Sequence, residues 1–136
     1  LAEAEGVSFI PVANFETAVR EEFDKPLLHE PIGNVTPKII QTKISAYQRD
    51  AKVKAWVLKT ANGICEGCGH SAPFYGTDGI PYLEVHHIRQ LADGGSDTIT
   101  NAVALCPNCH REMHYGIDRD RSISKLYSKV PRLIRE

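Results

Sequence analysis

The chain has 136 residues, of which 42% are hydrophobic and 24% charged, and its formal net charge is −1. This composition predicts one compact domain with extensions and a modest core. The sequence has no run of about eighteen apolar residues, and its start lacks the basic and apolar regions of a signal peptide, which excludes the usual membrane and secreted classes. We therefore expect a cytoplasmic protein. The only methionine is Met113, so we also expect a piece of a longer chain.

The charge is unevenly distributed along the sequence. Residues 1–36 carry two basic and seven acidic residues, whereas residues 37–62 carry six basic residues and one acidic residue. Residues 63–110 have a net charge of −4, and residues 111–136 have a net charge of +3. Two basic segments thus flank an acidic one, which suits contact with a phosphate backbone. Charge alone favours the simpler interpretation, that these side chains solvate helix surfaces.

An amphipathic helix is predicted between Asn14 and Phe23. Asn14 is a favourable N-cap, acidic residues follow near the start, and Phe15, Val19 and Phe23 recur at helical spacing. This apolar stripe predicts packing either on the rest of the chain or on a neighbouring domain of a longer protein. Residues 24–37 contain three prolines and predict an extended connector.

A second helix is predicted over residues 51–61. Asp50 is its expected N-cap, and Asn62-Gly63 is a typical helix end. Residues 38–47, which precede it, fit a helix or a strand equally well. The single tryptophan is predicted to lie in the core. The inward positions of the helix are Val53, Val57 and either Trp56 or Ala61.

All four cysteines occur in two pairs, Cys65-x-x-Cys68 and Cys106-x-x-Cys109. Zn²⁺ favours four thiolates in a closed tetrahedron, and two knuckles of this spacing each present two sulfurs from a tight turn. The alternative is two disulfides in a secreted protein, which the neighbouring histidines make the weaker interpretation. The spacing therefore predicts a structural zinc site.

A second metal site is predicted from the histidines. His110 and His114 are four residues apart, so on a helix their rings lie on one face, close enough to hold one ion. His86 would complete a triad. Three protein ligands leave coordination positions for water and substrate, which is typical of a catalytic metal site.

Two short strands are predicted to carry this site, over residues 84–87 and 101–105. Adjacent residues in a regular strand point to opposite faces, so His86 and His87 cannot both face one ion unless the strand bulges or ends there. His87 is then a base that approaches water from the other side. Glu84 shares the face of His86, and is interpreted either as a hydrogen-bond partner of a ligand imidazole or as a plain surface glutamate.

These residues resemble the HNH endonucleases of the ββα-metal superfamily, whose signature is a histidine pair or Asp-His on the first strand, an asparagine, and a histidine on the helix. Here the signature reads His86-His87, Asn101 and His110-x-x-x-His114, which is similar to the nuclease domain of DNase colicins. The C-x-x-C frame resembles the branch found in bacterial restriction endonucleases, including enzymes that cut DNA with modified cytosines. The resemblance covers about residues 48–116. His86 stands where the family often has Asp.

The resemblance implies an α+β fold: a ββα-metal (HNH) nuclease core with a four-cysteine structural zinc site and flanking helices. It places the HNH nuclease domain at residues 38–136, with its core at residues 62–116. Residues 1–37 then form an acidic N-terminal helix and a Pro-rich connector, which would serve as the linker from an upstream domain of a longer protein.

The activity implied by the resemblance is metal-dependent hydrolysis of phosphodiester bonds in DNA, leaving 5′-phosphate ends, as the cleavage domain of a restriction-type enzyme. The three ligand histidines would bind one catalytic ion, and His87 would take the proton from water. Asn101 would fix the loop and orient the His87 ring. Arg89 is interpreted either as a phosphate clamp or as an exposed arginine at a strand end.

The cofactors implied are a structural Zn²⁺ and one catalytic divalent ion. Three imidazoles suit Zn²⁺, Ni²⁺, Co²⁺ or Mn²⁺ better than Mg²⁺, which prefers oxygen ligands. The implied partner is double-stranded DNA, with no membrane; a homodimer and an upstream DNA-reading domain are both compatible with the sequence. The competing hypothesis is a non-catalytic zinc module that binds DNA or a protein, but it leaves the nuclease-like spacing of the histidines and asparagine unexplained.

Overall fold

The structure is a computed structural model, which describes residues 14–26 and 29–136. The chain divides into two units, residues 1–44 and residues 45–136. Residues 1–13 and 27–28, which belong to the predicted acidic segment and connector, lie outside the described residues. Within the described ranges, no helix has the length and apolar character needed to cross a membrane.

The first unit contains one described helix, α1 (Phe15–Phe23), where the sequence predicts it. Asn14 occupies the N-cap position, but the predicted side-chain capping bond is not formed. Helix α1 has no buried residue, and the apolar stripe stays exposed, with Phe23 at 79%. Residues 38–47 form neither of the two predicted structures, because their isoleucines stay exposed and bury no face.

Helix α2 (Ala51–Ala61) opens the regular structure of the second unit. As predicted, the Asp50 carboxylate accepts a hydrogen bond from the Lys52 main-chain N–H at 2.8 Å, and Asn62 ends the helix in a left-handed conformation. Val57 is fully buried. The prediction that Trp56 lies in the core is wrong: its side chain is 43% exposed, and the Arg132 guanidinium lies 5.3 Å from its ring centroid.

The sheet consists of the two predicted strands, β1 (Glu84–His87) and β2 (Ala102–Leu105), which pair antiparallel. A short 3₁₀ turn, Leu91–Asp93, lies in the loop between them. All four residues of β2 are fully buried, so this strand is the centre of the core. The loop returns the chain close to the end of β1, which is where the site residues lie.

Helix α3 (Pro107–Tyr115) follows β2 directly and completes the ββα order. Proline at the first helical position suits this start because its missing N–H would have no helical partner there. The last helix, α4 (Arg119–Lys129), packs on α3 and ends just before Pro131. The predicted α+β fold with a two-stranded sheet and flanking helices is confirmed.

The core joins the sheet to helices α2, α3 and α4. The chain after α4 closes it: the Arg132 guanidinium forms two hydrogen bonds to the Glu66 carboxylate, at 2.7 and 2.8 Å, and another to the Ala102 carbonyl. The Ile134 N–H donates to the Thr100 carbonyl. The buried apolar residues are Val57, Cys65, Leu83, Ile88, Ala102, Val103, Ala104, Leu105, Met113, Leu126, Val130 and Leu133.

Candidate active site and metal centres

The four cysteine sulfurs meet between the loop after α2 and the first turn of α3, and all lie within 4.8 Å of one another. Main-chain N–H groups point at them. Those of Cys68 and Cys106 donate to the Cys65 sulfur at 3.5 and 3.2 Å, and that of Cys109 donates to the Cys106 sulfur at 3.4 Å. Four converging sulfurs with N–H support are the donor set that zinc prefers.

Hydrogen bonds and burial shift the pKa values of these thiols in opposite directions. Burial opposes ionisation of Cys65, but main-chain N–H groups outweigh it and lower the pKa of Cys65 to about 7. Burial raises the pKa of Cys109, and the neighbouring sulfurs raise it further. Four thiolates cannot coexist here without a compensating positive charge. The cysteines are therefore positioned for a zinc site, as predicted.

Three histidine rings form a second cluster. His86 comes from β1, and His110 and His114 come from successive turns of α3. Their ring centroids are 4.9 to 5.1 Å apart, close to an equilateral triangle. The two Nε2 atoms on α3 are 3.2 Å apart. Nitrogens bound tetrahedrally to one Zn²⁺ would be about 3.3 Å apart, so the spacing fits a single shared ion.

Burial also suits His86 to a ligand role. Burial, followed by the charges of the neighbouring histidines, lowers the pKa of His86 to about 3. The ring is therefore neutral at pH 7 and offers a lone pair to a metal ion. Burial lowers the pKa of His114 in the same direction.

Glu84 lies behind this cluster. Its carboxylate is 2.8 Å from His110 Nδ1 and accepts the Tyr82 hydroxyl at 2.7 Å. The hydrogen bond from Tyr82, followed in size by that with His110, holds the pKa of Glu84 below its usual value. A carboxylate that accepts Nδ1–H fixes the ring so that Nε2 faces the cluster. Of the two interpretations of Glu84 left open by the sequence, the structure shows the hydrogen-bonded arrangement.

His87 points away from the three-histidine cluster, as strand alternation requires. Its Nε2 lies 2.8 Å from an oxygen of Asp97, whose other oxygen accepts the Asp50 main-chain N–H at 2.6 Å. Burial opposes ionisation of Asp97, but these hydrogen bonds outweigh it and lower the pKa of Asp97. Sequence reasoning missed Asp97. Its signal was its place in the Gly-rich loop between the strands, a pattern that by itself indicates only a turn.

Asn101 is fully buried and holds the loop. Its side chain accepts the Arg89 N–H at 3.0 Å and donates to the carbonyls of Arg89 and Ser96 at 2.9 and 2.8 Å. The expected fixing of the loop is thus present. The expected orientation of the His87 ring by Asn101 is not, because these bonds go to the main chain and Asp97 holds the ring instead.

The loop approaches β1 so closely that only glycine fits at position 95. A Cβ on Gly95 would lie 1.8 Å from the Arg89 carbonyl oxygen. The Arg89 side chain lies along the same loop, where its Nε donates to the Asp93 carbonyl at 3.0 Å. The predicted clamp residue is thus attached to the loop, and it does not belong to the residues that line the histidine cavity.

A cavity of about 280 Å³ connects the two sides of the histidine pair. It brings all four histidines of the predicted site to one space, and it is also lined by residues that sequence reasoning did not select. Two of those, Tyr47 and Arg49, come from the segment before α2. The lining residues are Tyr47, Arg49, Val85, His86, His87, Gln90, Leu91, Ala92, His110 and His114.

A sequence model described as HNH endonuclease matches residues 65–116, which contain both clusters. Residues 65–116, which are less than half of the chain, therefore match the HNH endonuclease family. The HNH segment contains all four cysteines and every predicted site residue. The family predicted from the histidine and asparagine pattern is confirmed.

The proteins similar to this chain include restriction enzymes. The type IV methyl-directed restriction enzyme EcoKMcrA of Escherichia coli (strain K12) is 50% identical over 109 residues, which are 80% of this chain and 39% of that protein. The type IV phosphorothioation-dependent restriction endonuclease ScoMcrA superposes with a TM-score of 0.55 at 37% identity, over 62% of this chain and 19% of that one. The modification-dependent TagI restriction endonuclease gives a TM-score of 0.43 at 34% identity, over 50% of this chain and 24% of that one. The chain thus spans less than half the length of these relatives.

Proposed function

We propose that the HNH domain hydrolyses phosphodiester bonds of double-stranded DNA with the help of a divalent ion, as the cleavage part of a restriction-type enzyme. The observation that carries this proposal is the shared cavity. The cavity is lined by three imidazoles whose mutual distances fit one ion. It is also lined by a fourth imidazole, that of His87, and the Asp97 carboxylate holds one nitrogen of this ring. A non-catalytic zinc module has no need for that second cluster.

The protein groups divide the reaction between them. Hydrolysis requires removal of a proton from water and compensation of the charge that grows on the phosphate and on the departing 3′ oxygen. His87 takes the proton, using Nδ1 because Asp97 engages Nε2. His86, His110 and His114 would hold a divalent ion. When bound, a divalent ion offsets the negative charge of the phosphate and the leaving oxygen. Loss of the 3′ oxygen leaves 5′-phosphate ends.

The supporting residues keep these groups in register. Glu84 orients the His110 ring through Nδ1, and Asn101 holds the loop that carries Asp97. Arg89 retains guanidinium donors beyond its bond to the loop and serves as an outer phosphate contact. The cysteine cluster would hold zinc. The ion at the three imidazoles is Zn²⁺, Ni²⁺, Co²⁺ or Mn²⁺ in preference to Mg²⁺.

Substrate choice belongs to another part of the protein in this proposal. EcoKMcrA is described as methyl-directed and ScoMcrA as phosphorothioation-dependent, although both are similar to this chain over more than half of its length. A shared cleavage domain with different modifications indicates that recognition is separate from cutting. We therefore propose modification-dependent cleavage in the cytoplasm, with an upstream reading domain joined through residues 1–37 to a nuclease domain at 38–136, and a homodimer for double-strand cuts.

The test is cleavage of supercoiled plasmid across a divalent-metal series, with modified and unmodified DNA and mapping of the ends. Nicked or linear products with 5′-phosphate ends, formed with Ni²⁺, Co²⁺, Mn²⁺ or Zn²⁺ and abolished by chelation, support the proposal. Binding of DNA without cleavage under every metal would favour the non-catalytic zinc module instead.

A further inference from the structure

The histidine cavity has a cationic wall that the proposed chemistry does not use. Arg49, from the segment before α2, is the one Lys or Arg among the residues that line the cavity. The rest of the lining supplies imidazoles, apolar side chains, a phenol and an amide. A DNA phosphate that entered this cavity would therefore find one arginine among its lining residues, in addition to the imidazoles.

The position of Arg49 is fixed relative to His87. The main-chain N–H of the next residue, Asp50, donates to one oxygen of Asp97, and the other oxygen of Asp97 holds His87. One carboxylate thus holds both the imidazole and the peptide that follows Arg49. Asp50 also caps α2, so the segment is held at a helix start rather than within a long loop.

The Arg49 guanidinium is available to a ligand. The residue is exposed, and it takes part in none of the ion pairs within 4.0 Å formed by residues 14–26 and 29–136. Arg132 contrasts with it, because its guanidinium is fully engaged by Glu66 and by main-chain carbonyls. A planar fork of N–H donors matches two oxygens of a phosphate, which a single ammonium cannot do.

We infer that Arg49 binds the non-bridging oxygens of the DNA phosphate that enters the histidine cavity, and that Asp97 holds this arginine in register with His87. The inference rests on the proposed function, since it names a further substrate contact of the same site. It assigns the inner phosphate contact to Arg49, on the cavity wall, and leaves Arg89 to the outer edge of the loop.

The experiment compares Arg49→Ala and Arg49→Lys with Arg20→Ala, which removes the same charge from the acidic helix α1. Binding to a short labelled duplex is measured by fluorescence anisotropy across a salt series, and cleavage is measured in single turnover. Arg49→Ala should flatten the slope of log affinity against log salt by about 1 and slow cleavage about 10- to 100-fold. Arg49→Lys should restore the slope but only part of the rate.

The outcomes separate this inference from the proposed function. Wild-type slope and rate in Arg49→Ala, or equal losses in Arg20→Ala, overturn the assignment of Arg49. A wild-type protein that binds the duplex but never cuts contradicts the proposed nuclease, whereas the slope still decides the Arg49 contact. Unchanged zinc content and circular dichroism in each variant exclude misfolding as the cause of a loss.

Discussion

The cysteine cluster and the histidine cluster share helix α3 but differ in what surrounds their ligand atoms. Cys106 and Cys109 lie at its N-terminus, and His110 and His114 follow within the same nine-residue helix. Main-chain N–H groups donate to the Cys65 and Cys106 sulfurs, whereas the three imidazoles line a cavity that they share with His87. Four protein ligands close one site and three leave the other open. Helix α3 thus contributes residues both to the proposed structural zinc site and to the proposed catalytic metal site.

The largest effect is expected from removing one ligand of the cysteine cluster. Cys106→Ser keeps a side-chain oxygen that can cap α3 but removes one zinc ligand. Structural zinc sites contribute about 10 kcal/mol or more to folding, which is comparable to the whole stability of a domain of this size. The variant should lose zinc, cooperative thermal unfolding and cleavage together. A Cys106→Ser protein that melts as the wild type does would show that the cluster is not the structural anchor.

The second-largest effect is expected at the histidine cavity, from removal of the proposed base. His87→Ala should slow cleavage about 100- to 10,000-fold, because a general base contributes about that much to proton transfer. Zinc content should stay at the wild-type value, since His87 lies outside both ligand sets, and the melting temperature should fall only by the loss of the buried His87–Asp97 contact. His29→Ala, which removes an exposed imidazole from the first unit, is the matched control. Cleavage by His87→Ala at the wild-type rate would refute its assignment as the base.

A smaller loss is expected when the His87 ring loses its charged partner. Asp97→Asn should slow cleavage about 10- to 100-fold, a typical cost of removing a carboxylate that orients a reactive imidazole. Asp93→Asn, in the same loop, should leave the rate within about twofold because only the main-chain carbonyl of Asp93 is engaged by Arg89. Single-turnover rates at saturating protein distinguish the two. Equal rates in both variants would mean that Asp97 does not position His87.

The smallest effect concerns the hydrogen bond behind the open cluster. Glu84→Gln keeps an oxygen for His110 Nδ1 but removes the charge, so Ni²⁺ should bind the histidine cluster about 10-fold more weakly. Calorimetry on the zinc-loaded protein measures this directly. Glu112→Gln, on the exposed side of α3, should bind Ni²⁺ as the wild type does. Equal binding by both variants would show that the charge of Glu84 does not strengthen metal binding at the histidine cluster.

The cluster residues were predictable because the spacing within each pair is local, although the two cysteine pairs lie far apart in the sequence. Two C-x-x-C pairs, and two histidines four apart, bring their ligand atoms together within one turn or one helix face. Alternation along β1 likewise predicted that His86 and His87 point to opposite faces of the strand. The ββα order followed from the same short-range patterns.

The remaining site residues reach the site through long-range contacts, which helical or strand periodicity in the sequence does not indicate. Asp97 reaches His87 because Gly95 lets the loop approach the Arg89 carbonyl and Asn101 holds it there. Arg49 reaches the cavity because Asp97 binds the following peptide. For Trp56, helical spacing left the choice of inward face open, and the engagement of Arg132 by Glu66 places a guanidinium over its exposed ring.

The most direct measurement is anomalous scattering from crystals of the zinc-loaded protein soaked in Ni²⁺ or Mn²⁺, with data collected at each metal's absorption edge. The account predicts two peaks per chain: zinc among the four cysteine sulfurs, and the soaked ion at the imidazole nitrogens of His86, His110 and His114. Zinc alone, with the three rings free of metal at saturating Ni²⁺ and Mn²⁺, would contradict the catalytic site proposed here.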